Sequence, residues 1–238
     1  SAIEEQGKMT DEIRNALSAA ATLTEVEDTY RPYKQKKKTR ASVAIERGLQ
    51  PLADFILAQD KNADVHAEAR KYIDEEKGVP DEESAIAGAK DIIAEIISDD
   101  ANVRKKLRNL FTKNGEIVTK LVNADKEGAK TYEMYADYSE AVGEIKSHRI
   151  LAVNRGEKEG FLKVKLAVND EIAKRIACAG YVKDGGESTQ LVREAGEDGY
   201  DRLIAPSVER EVRAALTESA SEQAIKMFEV NLRPLLLQ

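Results

Sequence analysis

The 238 residues carry 37 Lys and Arg against 44 Asp and Glu, a formal net charge of −7, with 5% aromatics and no Trp. This length allows one large or two modest domains, with a core of Ala, Ile, Leu and Val that favours helices, and the acidic balance excludes a protein that coats nucleic acid with its whole surface. No run of about 18 apolar residues occurs, which excludes a membrane-spanning helix, and Cys178 with His66 and His148 is too small a set for a disulfide or a Cys/His zinc site.

The chain opens Ser1-Ala2-Ile3 without methionine, as expected of a processed or excised piece. Thr10 is placed to start a helix lined by Ile13, Ala16, Leu17 and Ala20, and Thr24 to Glu27 has capping-box spacing for a short second one. Pro32 stops it, and Arg31, Lys34, Lys36, Lys37, Lys38 and Arg40 follow as an exposed connector, because unpaired cations are costly to bury. Thr39 or Ser42 starts the next helix, which Gly48 closes before Pro51. Leu52, Phe55 and Ile56 line another, and Val65 to Glu76 is its partner. The clearest helix starts at Pro80 and carries Ala85, Ile86, Ala89, Ile92, Ile93, Ile96 and Ile97 on one stripe. Asp99 or Asp100 caps the helix after it, with Val103, Leu107, Leu110 and Phe111 inward, Arg104, Lys105, Lys106, Arg108 and Lys113 outside, and a stop at Asn114-Gly115. Short helices joined by glycine turns beside basic residues are compatible with helix-turn-helix elements, and equally with a generic helical array.

The polar stretch Asn123 to Lys130 is the candidate boundary between a first subdomain, 1–125, and a second, 126–238. In the second, Tyr132, Tyr135, Val142, Ile145 and Arg149 recur at helical spacing. That helix is expected to run into a loop bracketed by Gly156 and Gly160, from which a short strand leaves near 160–168. Asp170 caps a helix through Ile176, one or two short helices surround Gly196 and Gly199, and Ser207 starts a helix with Val208, Val212, Ala215 and Leu216 inward. A last helix carries Ala224, Met227, Phe228 and Leu232, Pro234 should end or kink it, and Leu235 to Leu237 call for a cover. The fold class is therefore mainly α, a multihelical array with at most a short β element.

Both basic clusters are candidate phosphate contacts, the first with Tyr30 and Tyr33 available to stack on bases; the alternative, which asks less of the sequence, is solvated surface charge. His148 has no companion for acid–base work, and a buried histidine bonded to the loop backbone is expected. Arg155 and Glu157, on either side of Gly156, are expected to lock the turn by an ion pair or carbonyl contacts, and with His148, Arg149 and Asn154 they make up the structural motif. Asp81, Glu82, Glu83, Asp99 and Asp100 sit at helix starts, which accounts for them without a magnesium-dependent nuclease.

Three blocks now carry a resemblance: Tyr30 to Lys34 through Thr39-Arg40-Ala41 and Gly48 to Leu52; His148-Arg149-Ile150-Leu151-Ala152-Val153-Asn154-Arg155-Gly156-Glu157; and Pro206 to Glu211 with Asn231-Leu232-Arg233. Together they resemble the bacterial Tex family of transcription accessory proteins, over essentially the whole chain. Tex proteins resemble the core of a eukaryotic elongation factor that also acts as a histone chaperone. The resemblance implies a multihelical amino-terminal to central region that precedes ribonuclease-H-like, helix-hairpin-helix and OB-fold RNA-binding domains. It implies a role in a nucleic-acid-binding transcription factor, with RNA or DNA binding chiefly through the full-length protein; the first hypothesis is a non-catalytic helical scaffold without cofactor or metal, and the single cysteine points to a reducing cytoplasm. A docking module for RNA polymerase or associated factors, without nucleic-acid contact, is the alternative.

Overall fold

The stripe from Ala85 to Ile97 organises the first half of the fold, because a helix apolar along that length must be covered on several sides. This computed structural model describes residues 2–34, 38–183 and 185–236, the side chains at 2, 5 and 233–236 excepted. It divides into two compact units, residues 1–106 with 171–205 and residues 107–170 with 206–238. The polar stretch at 123–130, expected as a boundary, lies inside the second unit.

In the first unit, helices α1 (Ala2–Glu5), α2 (Asp11–Ala19), α3 (Leu23–Tyr30), α4 (Arg40–Glu46), α5 (Gln50–Ala58) and α6 (Val65–Ala69) precede α7 (Glu82–Asp99) and α8 (Ala101–Asn114), which contributes residues to both units. The Thr10 hydroxyl accepts from the Ile13 amide, Thr39 and Ser42 form a reciprocal capping box, and Asp81 caps α7 through the Ser84 amide. Thr22, two residues before the expected cap, starts α3. The helix expected over 65–76 is α6 with a 3-10 turn, Arg70–Tyr72, and then an isolated bridge between Asp74 and Val79. Ala85, Ala89, Ile92, Ile93 and Ile97 are buried under α4, α5 and α11 (Glu187–Gly199), while α10 is Asp170–Cys178. Instead of breaking around Gly196 and Gly199, α11 runs through both into a π-helical turn, Tyr200–Ile204.

The second unit is built on a three-stranded antiparallel sheet in the order β2-β1-β3, with β1 at Glu116–Leu121, β2 at Asp137–Ala141 and β3 at Leu162–Ala167. Glu116 pairs with Ala141 on one side and with Ala167 on the other. Ile117, Thr119, Leu162, Val164 and Leu166 form the buried face, and Lys120, Lys163 and Lys165 the open one. The mainly α expectation holds, and the β element near 160–168 is one strand of this sheet. The helix expected through Tyr132, Val142 and Arg149 does not form: a 3-10 segment (Ala129–Tyr135), β2 and a turn take its place before α9 (Ser147–Lys158). Backbone pairing of β2 with β1 satisfies donors that a local pattern could not assign.

The two carboxy-terminal helices expected are one, α12 (Ala205–Leu236). Ser207 is not its cap but donates its hydroxyl to Glu211 at 3.1 Å. Pro234 neither ends α12 nor stops it short, since a proline in the last turn forfeits a single main-chain bond. Val208 and Val212 are buried as expected, whereas Ala215, Ala224, Met227 and Phe228 are exposed, and the Leu235 to Leu237 side chains lie outside the described residues.

Candidate functional site

The first basic cluster follows α3. Arg31 is half-buried in a 3-10 turn, Arg31–Tyr33, where Pro32 presets the backbone. Lys34, Lys38 and Arg40 are exposed, Arg40 as the first residue of α4; Lys36 and Lys37 lie outside the described residues.

The second cluster is only in part an exposed face. Arg104 is buried, and its Nε donates to Asp28 Oδ1 at 3.1 Å. Lys105 reaches Glu25 at 2.9 Å, and its ammonium is the first cause that holds the Glu25 carboxyl below the usual carboxylate range. In the second unit, Arg108 donates to Glu211 at 3.1 Å. The helical phase explains the correction: Arg104 precedes Leu107 by three residues and Phe111 by seven, so it shares their inward face. A phosphate would have to displace these carboxylates, in the case of Arg104 from within the core. Lys106 and Lys113 remain exposed on α8.

The helix expected at His148 and Arg149 continues through Glu157 to Lys158, where a loop from Asn154 onward was expected. His148 is exposed in the first turn of α9 rather than buried against a backbone. Arg149 Nη1 donates to Glu140 Oε1 at 2.7 Å on β2, and the Tyr138 hydroxyl donates to the same carboxylate. Burial first, then Glu140, pushes the Tyr138 phenol up to about 12. Tyr138 and then Arg149 hold the Glu140 carboxyl down.

One turn further along α9, Asn154 Nδ2 donates to Thr217 Oγ1 at 2.8 Å, and Arg213 donates to Glu157 through both terminal nitrogens, so both residues tie α9 to α12. Arg155 Nε donates to the Tyr132 hydroxyl at 3.1 Å, and that hydroxyl donates to Glu159 at 2.6 Å. Gly156 does not reverse the chain. A Cβ there would stand 2.6 Å from Leu162 Cδ1 and 2.8 Å from Tyr132 Cδ1, so glycine lets α9 press against β3 and the 3-10 segment. The reversal belongs to Gly160, at φ +77°.

Sequence reasoning missed Asp28, Glu140, Glu211, Arg213 and Thr217 as partners. Each comes from a distant part of the chain or from a strand that was not expected; only Glu211 had a hint, four residues after Ser207 on one helical face. Of the carboxylates considered for magnesium, Asp81 caps α7, Asp100 accepts from the Asn102 and Val103 amides at the start of α8, and Glu82 accepts from Arg70. Among the described residues, no three His, Cys, Asp or Glu side chains gather as a metal cluster would.

Residues 60–228 match the family described as Tex central region-like. The chain is 46% identical to the protein named Uncharacterized protein YdcI of Bacillus subtilis, over 99% of this chain and 33% of that protein. It is 37% identical to Transcriptional accessory protein Tex of Neisseria gonorrhoeae, over 99% of this chain and 31% of that protein. It is 28% identical to S1 RNA-binding domain-containing protein 1 of Homo sapiens, over 99% of this chain and 25% of that protein. The chain thus spans about a third of the length of the bacterial relatives it matches. With the family match covering most of its residues, from α6 through the HRILAVNRGE helix to α12, the chain belongs to the Tex central region-like family.

Proposed function

We propose that this chain is a non-catalytic helical scaffold within a longer nucleic-acid-binding transcription accessory protein, to which Lys34, Lys38 and Arg40 add phosphate contacts. One observation carries the scaffold reading: the distinctive polar side chains are used up internally. Asn154 and Glu157 tie α9 to α12, Arg149 ties it to β2, and Arg155 ties it to Tyr132. A catalytic or ligand-binding motif would leave some of those groups converging on open space. The relatives' names supply the setting, one a transcriptional accessory protein and another an S1 RNA-binding domain-containing protein. In this reading the partner of the full-length protein is RNA or DNA, RNA polymerase or an associated factor stands nearby, and the compartment is the cytoplasm.

Filter binding of single-stranded RNA across a salt series tests the two parts. Replacing Lys34, Lys38 and Arg40 with Gln should weaken binding by the full-length protein and reduce the salt slope by about 0.7 for each phosphate that is no longer neutralised. An unchanged slope discards the phosphate contacts. The Arg213→Ala variant should lower both the melting temperature and RNA retention by the full-length protein. Full retention by a variant with a melted second unit discards the scaffold.

A further inference from the structure

A second surface of the first unit is apolar and edged with carboxylates. An open groove of about 780 Å³ lies between α2, α3, α4, α7 and the start of α8. Ile13, Ala16, Ala41, Ile45, Ile92 and Ile96 give it an apolar floor and walls. Two features show that this surface is not filled from within. No residue of α2 is fully buried although Ile13, Ala16 and Leu17 share one edge, and Ile45 remains 47% exposed.

The rim is acidic. Glu12, Glu95, Asp99 and Asp100 line the groove, while Glu25 is paired there with Lys105 and the buried Asp28 with Arg104, so those two pairs add no net charge. Tyr181, which also lines the groove, registers these carboxylates: burial first, then the bond to Asp100 and the charges of Asp100 and Asp99, raise its phenol above the ordinary value.

We propose that this groove docks a cationic amphipathic helix of a partner protein, its apolar residues seated along Ile13, Ile45 and Ile96 and its lysines or arginines facing the carboxylates of the rim. The carboxylates favour a cationic face, and the apolar floor matches anchors spaced at i, i+4 and i+7. The nine residues of α2 span about 13 Å, room for two to three turns of such a helix. The proposal is separate from the scaffold reading, whose ties between α9, α12 and β2 lie in the second unit, and it needs no nucleic acid.

The test is fluorescence anisotropy of the whole chain with a labelled Leu/Lys peptide about five helical turns long, beside the same peptide with Glu for Lys. The cationic peptide should bind, with methyl NMR shifts confined to Ile13, Ile45, Ile92 and Ile96. Binding should weaken about tenfold or more in Ile45→Glu and in Glu12→Arg, both at exposed positions and both checked for retained helix by circular dichroism. Equal binding of the acidic peptide, unaltered binding by Ile45→Glu, or shifts elsewhere would overturn the proposal. So would displacement of the peptide by single-stranded RNA, or a dimer of this chain that Ile45→Glu dissociates while no peptide binds.

Discussion

Arg104 Nε stands 3.1 Å from Asp28 Oδ1, with the two side chains 1% and 4% exposed, so α8 and α3 are joined by a charge pair inside the core. Removing one partner of such a pair strands the other charge away from water. Arg104→Ala should therefore cost about 3–5 kcal/mol in urea denaturation, and Asp28→Ala a similar amount. The double replacement Arg104→Met with Asp28→Leu should recover most of that loss, because no charge is then left buried. Equal losses in the single and double variants would show that packing, not charge, explains the sites.

Gly156→Ala is the sharpest test of how α9 is seated. The added methyl would meet Leu162 and Tyr132 at 2.6 and 2.8 Å, and overpacking of that kind costs about 1–3 kcal/mol. Thermal melting should show the loss, and Leu162→Val in the same chain should relieve part of it. A neutral Gly156→Ala would mean that α9 sits farther from β3 than this spacing requires.

The Tyr138, Glu140 and Arg149 cluster gives stability a pH dependence at both ends. The Tyr138 value of about 12 lies above the ordinary 10.0, so the stability it represents is complete below pH 10 and is lost as pH rises towards 12. Glu140 is held below its ordinary 4.5, so its contribution is present above that pH and disappears as pH falls through the lowered value. Near-ultraviolet titration should show a late-ionising tyrosine that is missing from Tyr138→Phe, and that variant should melt with a flatter alkaline limb.

Cys178 is buried with its thiol pushed up by desolvation, and Gly196 packs against its sulfur. A thiol reagent should modify the native chain far more slowly than the urea-unfolded chain at the same pH. Comparable rates would place the residue at the surface.

What was legible in the sequence was the chemistry that acts within one turn. Thr10, Thr39 with Ser42 and Asp100 each satisfy an amide two or three residues away, and the isoleucines of α7 repeat at its own period. The rest depended on partners far along the chain. β2, Asp-Tyr-Ser-Glu-Ala, has no apolar alternation of its own and is a strand because β1 pairs with it. The tyrosines before it sat at helical spacing by coincidence. Gly156 was read as a loop former because glycine signals both turns and close approach, and only the proximity of Leu162 decides between them. In the candidate site, Arg104 was legible in principle from its phase with Leu107 and Phe111, but its charge outweighed its spacing.

The first unit is discontinuous: its last segment, 171–205, follows the whole 107–170 stretch of the second. During synthesis, the flank of α7 that α11 covers therefore leaves the ribosome well before its cover does, and the sheet strands are made in the interval. An uncovered isoleucine flank of that kind is a target for chaperones and for aggregation. A nascent chain arrested before Glu187 should stay protease-sensitive along Glu82–Asp99, and extension through Gly199 should close that window.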